Sequence, residues 1–237
     1  MNESITFIPF TGLVIIFIPV AIVIGILHHW SLGWKNTIYA VLRMLVQLLM
    51  IGYCLSYIFL SNNAAFIILV LSVMVLAASW ISLRTIALDR LELFKFSFIS
   101  IFSGGGIVLI LVTQFVLQLE PWYMPRYTVP IAGMIFASSM NGISLAAERL
   151  QAEMDRNIDY VSARGISLRA ALIPITNSLF AVGLVSLPGM MTGQILSGIS
   201  PLIAVRYQIM VMCMIFSAVG LSSYLFLVLV RSKIESK

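Results

Sequence analysis

Long apolar windows separated by short polar links make up most of this chain. Crossing the hydrocarbon core of a bilayer takes about 20 apolar residues. Seven windows meet that length: 7–27, 37–60, 64–83, 96–117, 129–147, 172–195 and 203–230. The links at 61–63 and 197–202 have room only for turns. Pro9 and Pro19 fall in the first window and predict a kink that does not prevent a span. The pattern predicts an all-α, polytopic integral membrane protein of about seven helices, with one transmembrane domain over 1–237 and no soluble module.

One window is written against its own hydropathy. Gly183-Leu-Val-Ser-Leu-Pro-Gly-Met-Met-Thr-Gly-Gln194 lies where a span is required, yet its residues spoil a regular helix. Pro188 removes a backbone donor and clashes with the preceding turn, while Gly183, Gly189, Gly193 and Gly198 add backbone freedom. Irregular backbone survives at membrane depth only inside protein or beside a water-filled cavity. A Gly/Pro-interrupted apolar segment is also the best pointer from sequence to a transport site. The competing reading takes Gly189-x-x-x-Gly193 as a helix-packing face. Polar company favours a pathway: Thr192, Gln194, Arg206, Tyr207 and Gln208 lie in the break or just after it.

Composition agrees with the windows. Hydrophobic residues make up 61% of the chain and charged residues 10%, against about 25% charged in soluble domains. A net charge of +5 would suggest nucleic acid in a soluble protein; here it reflects basic residues held on one side of a membrane, and nucleic acid is not an expected partner. That side carries Lys35, Arg84, Arg90, Lys95, Arg149, Arg156, Arg164, Arg169, Arg231, Lys233 and Lys237. The other holds Arg126, with Arg206 just inside the last window. Basic residues in short loops stay cytoplasmic, so the N-terminus is expected outside and the C-terminus inside. The first residues include Glu3 but no Lys or Arg, which does not fit a cleavable signal peptide. Cys54 and Cys213 fall in apolar windows without CxxC spacing and are expected to be buried thiols.

Energy coupling is not written in the chain. All nine acidic residues lie outside the seven windows, so no intramembrane carboxylate is placed to relay protons. Gly-x-x-x-x-Gly-Lys-Ser/Thr is absent, and Gly104-Gly-Gly106 lies within a window, where close helix packing explains it. No nucleophilic triad is present, so the chain reads as a non-enzyme. The polar segment at 148–169 carries Leu150, Met154, Ile158 and Val161 at helical spacing, with Arg149 and Glu153 placed to pair four apart. It is expected to be an amphipathic helix, lying on lipid headgroups or docking a soluble motor through Arg149, Glu153, Asp155, Arg156, Asp159, Arg164 and Arg169.

Leu187-Pro-Gly-Met-Met-Thr-Gly-Gln194, Gly198-Ile-Ser-Pro201 and Ala204-Val-Arg-Tyr-Gln-Ile-Met210 closely resemble the signature of the FetB-type family. These proteins are the membrane subunits of bacterial iron-export ABC transporters, with plant aluminium-tolerance proteins as relatives. Arg169-Ala-Ala-Leu-Ile-Pro174, Val129-Pro-Ile-Ala-Gly-Met134 and Gln47-Leu with Gly52-Tyr match too. The resemblance implies a permease in the bacterial inner membrane that works as two copies. It further implies a soluble, FetA-like ABC ATPase as partner, which uses ATP-Mg while this chain holds no cofactor. In such subunits a short cytoplasmic coupling helix transmits ATPase motion. Asp159-Tyr-Val-Ser-Ala-Arg-Gly165 matches the importer pattern only weakly, because Tyr160 and Val161 are not small.

Substrate chemistry stays open at this level. Thirteen methionines offer soft thioether ligands, but Met is more often flexible core filler. Met210, Met212 and Met214 cannot share one helical face. Hard iron would prefer carboxylates or His, and the chain offers no cluster of them. The expected pathway is therefore Asn141, Asn177, Pro188, Gly189, Met190, Met191, Thr192, Gly193, Gln194, Arg206 and Gln208, with backbone carbonyls freed near Pro188. Two other classes fit the same residues: an ATP-independent channel or carrier, and a membrane scaffold for a cytoplasmic partner.

Overall fold

A computed structural model of the chain describes residues 9–61, 63–84, 86 and 90–234. Glu3, Asp89, Glu235 and Lys237, which enter the charge reading, lie outside the described residues. The fold is helical, and six helices among the described residues are long and apolar enough to cross a membrane. Two compact units divide at Leu60.

In the first unit, α1 (Phe10–Ile15) passes into α2 (Phe17–His29) through a break at Ile16. Pro19 lies in the first turn of α2, where a missing N–H costs little. The turn to α3 (Trp34–Leu60) uses positive φ at Ser31 and Gly33, and His28 meets Trp34 edge-on at 5.0 Å. Most apolar side chains of these helices are exposed, the arrangement of helices whose solvent is lipid.

The second unit is a bundle of five long rods. α4 (Ala64–Ser82) leads to a rod made of α5 (Arg90–Ser100), a π-helical turn (Ile101–Gly105), α6 (Gly106–Ile110) and a second π-turn (Leu111–Val116). α7 (Pro125–Met154), α8 (Tyr160–Ala181), the short α9 (Gly189–Leu196), α10 (Pro201–Leu229) and α11 (Arg231–Ile234) follow. The five rods alternate in direction, so two ends can be distinguished. One end gathers Arg84, Arg90, Lys95, Arg149, Arg156, Arg164, Arg231 and Lys233. The other holds Arg126, with Arg206 between one and two turns into α10.

The rods meet through small residues, as membrane helices do when lipid removes the hydrophobic drive between them. A Cβ on Gly104 would sit 2.8 Å from the Ser222 backbone N, and one on Gly142 would sit 2.7 Å from Ser223 Oγ. Ser222 Oγ donates to Ser139 Oγ at 3.0 Å, and Ser139 Oγ to the Ala218 carbonyl at 3.3 Å. Gly105 likewise faces Ile135 and Phe136, whereas a Cβ on Gly106 meets nothing within 4 Å. Close packing therefore accounts for two of the three consecutive glycines. Ser82 and Ser97, with hydroxyl oxygens 2.8 Å apart, bridge α4 and α5 in the same way.

Two predicted boundaries move. The segment 148–169 is not a single helix: α7 continues to Met154, a turn follows, and α8 starts at Tyr160. Asp159 is the reason, because its carboxylate caps the new helix by accepting from Ser162 N at 2.9 Å. The stripe read on this segment divides accordingly: Leu150 is buried, Met154 and Ile158 pack on the core, and Val161 is exposed. The window at 172–195 is likewise not one helix. Its first part completes α8, which is 22 residues long but carries Arg164 and Arg169 in its first half; α8 is thus absent from the six long apolar helices.

Candidate transport site

The interruption foreseen around Pro188 is present and specific. Val182 leaves helical geometry at ψ 129, and Gly183 follows with φ +82, a left-handed conformation that costs other L-residues about 1–2 kcal/mol. Gly183 N donates to the Ser186 carbonyl at 3.0 Å, and Val185 and Ser186 N both return to the Ala181 carbonyl. This knot exposes Leu184 and Val185 at 89% and 85%. The backbone carbonyls of Val182, Gly183, Leu184, Val185 and Leu187 take no part in the described hydrogen bonds. Pro188 then caps α9, its carbonyl accepting from Thr192 N at 3.0 Å and Thr192 Oγ1 at 3.2 Å. Gly198, at φ +86, turns the chain into Pro201 at the start of α10.

A cavity of about 350 Å³ lies against this break, lined by Leu179, Val182, Gly183, Leu187 and Met191 on one side and by α10 on the other. From α10 come Val205, Gln208, Ile209, Met212 and Cys213. Gln208 is 5% exposed, and its Oε1 has no hydrogen-bond partner. The structure thus brings Met191 and Gln208 into one cavity. Gln194 Oε1, on α9, is also buried without a partner.

The other predicted pathway residues separate. Asn177 lines a shallow groove of about 450 Å³ on α8 with Arg169 and Thr176. Asn141 is exposed on α7, and Arg206, Gly189, Met190 and Gly193 are exposed near the break. A Cβ on Gly189 or Gly193 would meet nothing within 4 Å, so the packing reading of that pair finds no partner among the described residues. Sequence reasoning missed Met212 as a lining residue, and it placed Cys213 wrongly. Cys54 and Cys213 are exposed, not buried. In a membrane an apolar window does not imply a protein interior, so hydropathy could not tell the two apart. The largest cavity described, about 820 Å³, runs between α4, α6 and α7, with Thr113, Gln114 and Thr128 among its polar lining residues. None of the predicted site residues lines it.

At the basic end, the predicted pair forms: Arg149 meets Glu153 Oε1 at 2.5 Å, and Arg156 approaches the same oxygen at 3.6 Å. Glu153 is 4% exposed, so it is a buried anion held by two cations. Asp155 is exposed beside it, and Arg164 and Arg169 follow on α8, half-buried and exposed. The Ser162 hydrogen bonds hold the Asp159 carboxyl below its ordinary value. Sequence reasoning also missed Tyr160. It is buried, its hydroxyl donates to the Leu227 carbonyl, and the Arg231 guanidinium lies 5.9 Å from its ring. Lys233 Nζ meets Glu92 Oε2 at 2.8 Å. The α7–α8 turn is thus tied to the far end of α10, the rod whose near end borders the break. Tyr160→Phe should cost roughly 1 kcal/mol and show as a lower thermal midpoint in detergent. An unchanged midpoint would mean that the hydroxyl contributes nothing.

Residues 10–166 and 162–234 match the sequence profile of a family described as "Uncharacterised protein family (UPF0014)". The chain belongs to that family. Among its relatives, the probable iron export permease protein FetB of Escherichia coli is 33% identical over 237 residues, covering 94% of this chain and 87% of its own. A UPF0014 membrane protein of Synechocystis sp. is 35% identical over 196 residues, 76% of each chain. The Arabidopsis thaliana protein ALUMINUM SENSITIVE 3 is 32% identical over 231 residues, 91% of this chain and 82% of its own. No solved structure matches. This UPF0014 member is a multi-pass membrane protein.

Proposed function

We propose that this chain is the membrane-spanning subunit of an ABC transporter. In this reading it exports iron or a related metal, with energy from a separate soluble ATPase. One observation carries it: a cavity at an interrupted helix lies at one end of α10, and a braced, charged turn lies at the other. The basic end faces the cytoplasm, following the retention of Lys and Arg there, and the C-terminus lies on that side with the N-terminus opposite. Arg149, Glu153, Asp155, Arg156, Asp159, Arg164 and Arg169 form or border the turn on which the ATPase docks. The partner binds ATP-Mg; this chain performs no chemical step. Two copies assemble, as the family resemblance implies. Iron as cargo is suggested by the name of the Escherichia coli relative.

Coexpression with a candidate ATPase tests this. The complex should copurify in a nucleotide-dependent way, and cellular iron should fall only when both chains are present. Metal flux into proteoliposomes without ATP or partner would replace this reading with a channel. Partner binding that persists with no effect on metal content would leave a scaffold.

A further inference from the structure

We infer that the cavity against the break is a site for a soft, thiophilic monovalent cation of the Cu(I) or Ag(I) class. This rests on the transport reading above and revises one part of it, because it assigns a soft cargo in place of iron to the same interrupted segment. Three sulfur side chains line the cavity from two directions: Met191 from α9, and Met212 and Cys213 from α10. Gln208 adds a buried amide oxygen with no partner, an acceptor that burial leaves costly unless something meets it. Val182 and Gly183 line the opposite wall. The rest of the lining is aliphatic.

Hardness decides between cations. Thioether and thiolate ligands select soft ions, whereas carboxylate, carbonyl and water suit hard ones. No carboxylate lines this cavity, and among the described residues no group of three or more His, Cys, Asp or Glu side chains could hold a metal. Charge points the same way. A monovalent ion that binds Cys213 sulfur and displaces the thiol proton to solvent makes a neutral unit, which avoids much of the penalty for an uncompensated charge in an apolar wall. A divalent ion bound to the same donors would keep a net positive charge. Unbranched methionines can close on an ion in a cavity this size, because they have three rotatable bonds and a polarizable sulfur.

The chain alone, in lipid nanodiscs and without any ATPase, is titrated anaerobically with Cu(I) against a competing Cu(I) chelator. One Cu(I) should bind per chain, with a sulfur shell in its X-ray absorption spectrum. Cys213→Ser, and separately Met191→Leu with Met212→Leu, should each weaken binding at least tenfold. Met50→Leu, on α3 and outside the cavity lining, should leave it unchanged. Circular dichroism and size exclusion confirm that each variant is folded. The inference is overturned if the folded chain retains no Cu(I) against the chelator, or if the variants bind as tightly as the parent. Preferential binding of Fe(II) in the same cavity would also overturn it. Failure here leaves the transport reading standing, since nucleotide-dependent copurification and export are measured separately. Cu(I) binding with the expected variant pattern but without ATP-dependent export would sink only that reading.

Discussion

Gly104→Val should leave almost no folded protein in the membrane. At this position even a Cβ would sit 2.8 Å from the backbone N of Ser222 and 3.0 Å from its Cα, closer than atoms in folded proteins come. Backbone cannot rotate aside as a long side chain can, so the first π-turn and α10 would have to separate. Overpacking of this kind costs about 1–3 kcal/mol, and valine adds two further methyl groups. Separation would also pull Ser222 from Ser139 and disturb the contact of Gly142 with α10 in the same layer. The measurement is the monodisperse fraction after detergent extraction, together with the thermal midpoint of what remains. Gly106→Ala is the control two residues away, because its added methyl meets open space. That change should be neutral or slightly stabilising, since alanine is the better helix former. Equal behaviour of the two variants would show that the close crossing does not hold the bundle together.

Gly183→Leu combined with Pro188→Leu should leave folding nearly intact and reduce export at least tenfold. The two positions make the break by different means. Gly183 takes a left-handed φ that leucine resists, and Pro188 cannot continue the helix before it. With both replaced, 182–188 can run on as helix from α8 toward α9. The carbonyls outside the described hydrogen bonds would then pair, and the wall of the 350 Å³ cavity that includes Val182, Gly183 and Leu187 would be rebuilt. Export is followed as ATP-driven metal release from vesicles holding the chain and the ATPase proposed as its partner. Size exclusion and ATPase copurification show that the bundle and its docking end survive. Full export by the double variant would mean that the interruption is incidental to transport.

Much of the architecture was readable from hydropathy, because windows of about 20 apolar residues have few other uses. The break was readable for a related reason: Pro188 and four glycines conflict with their surroundings, and local conflict marks function. The Arg149–Glu153 pair followed from spacing alone. The boundary at 155–159 was not legible, since the stripe through Leu150, Met154 and Ile158 passes straight across it. Only the capping geometry of Asp159 reveals the stop. Tyr160 was set aside as too large for a small-residue motif, while its role is to reach Leu227, 67 positions away. No periodicity encodes that distance. Met212 and Cys213 were invisible for a different reason. In a membrane helix an apolar face turned to lipid and one turned to a cavity carry the same residues.

The crossing at Gly104 and Gly142 pins α10 near Val219–Ser223, past its middle on the side of the Tyr160 brace. At about 1.5 Å per residue, roughly 30 Å of the rod extends from there to its end beside the break and only about 9 Å to Leu227, where Tyr160 braces it. A rigid beam held at such a fulcrum gives unequal arms. Small tilts imposed at its short arm emerge about three times larger at the long one, with the opposite sense.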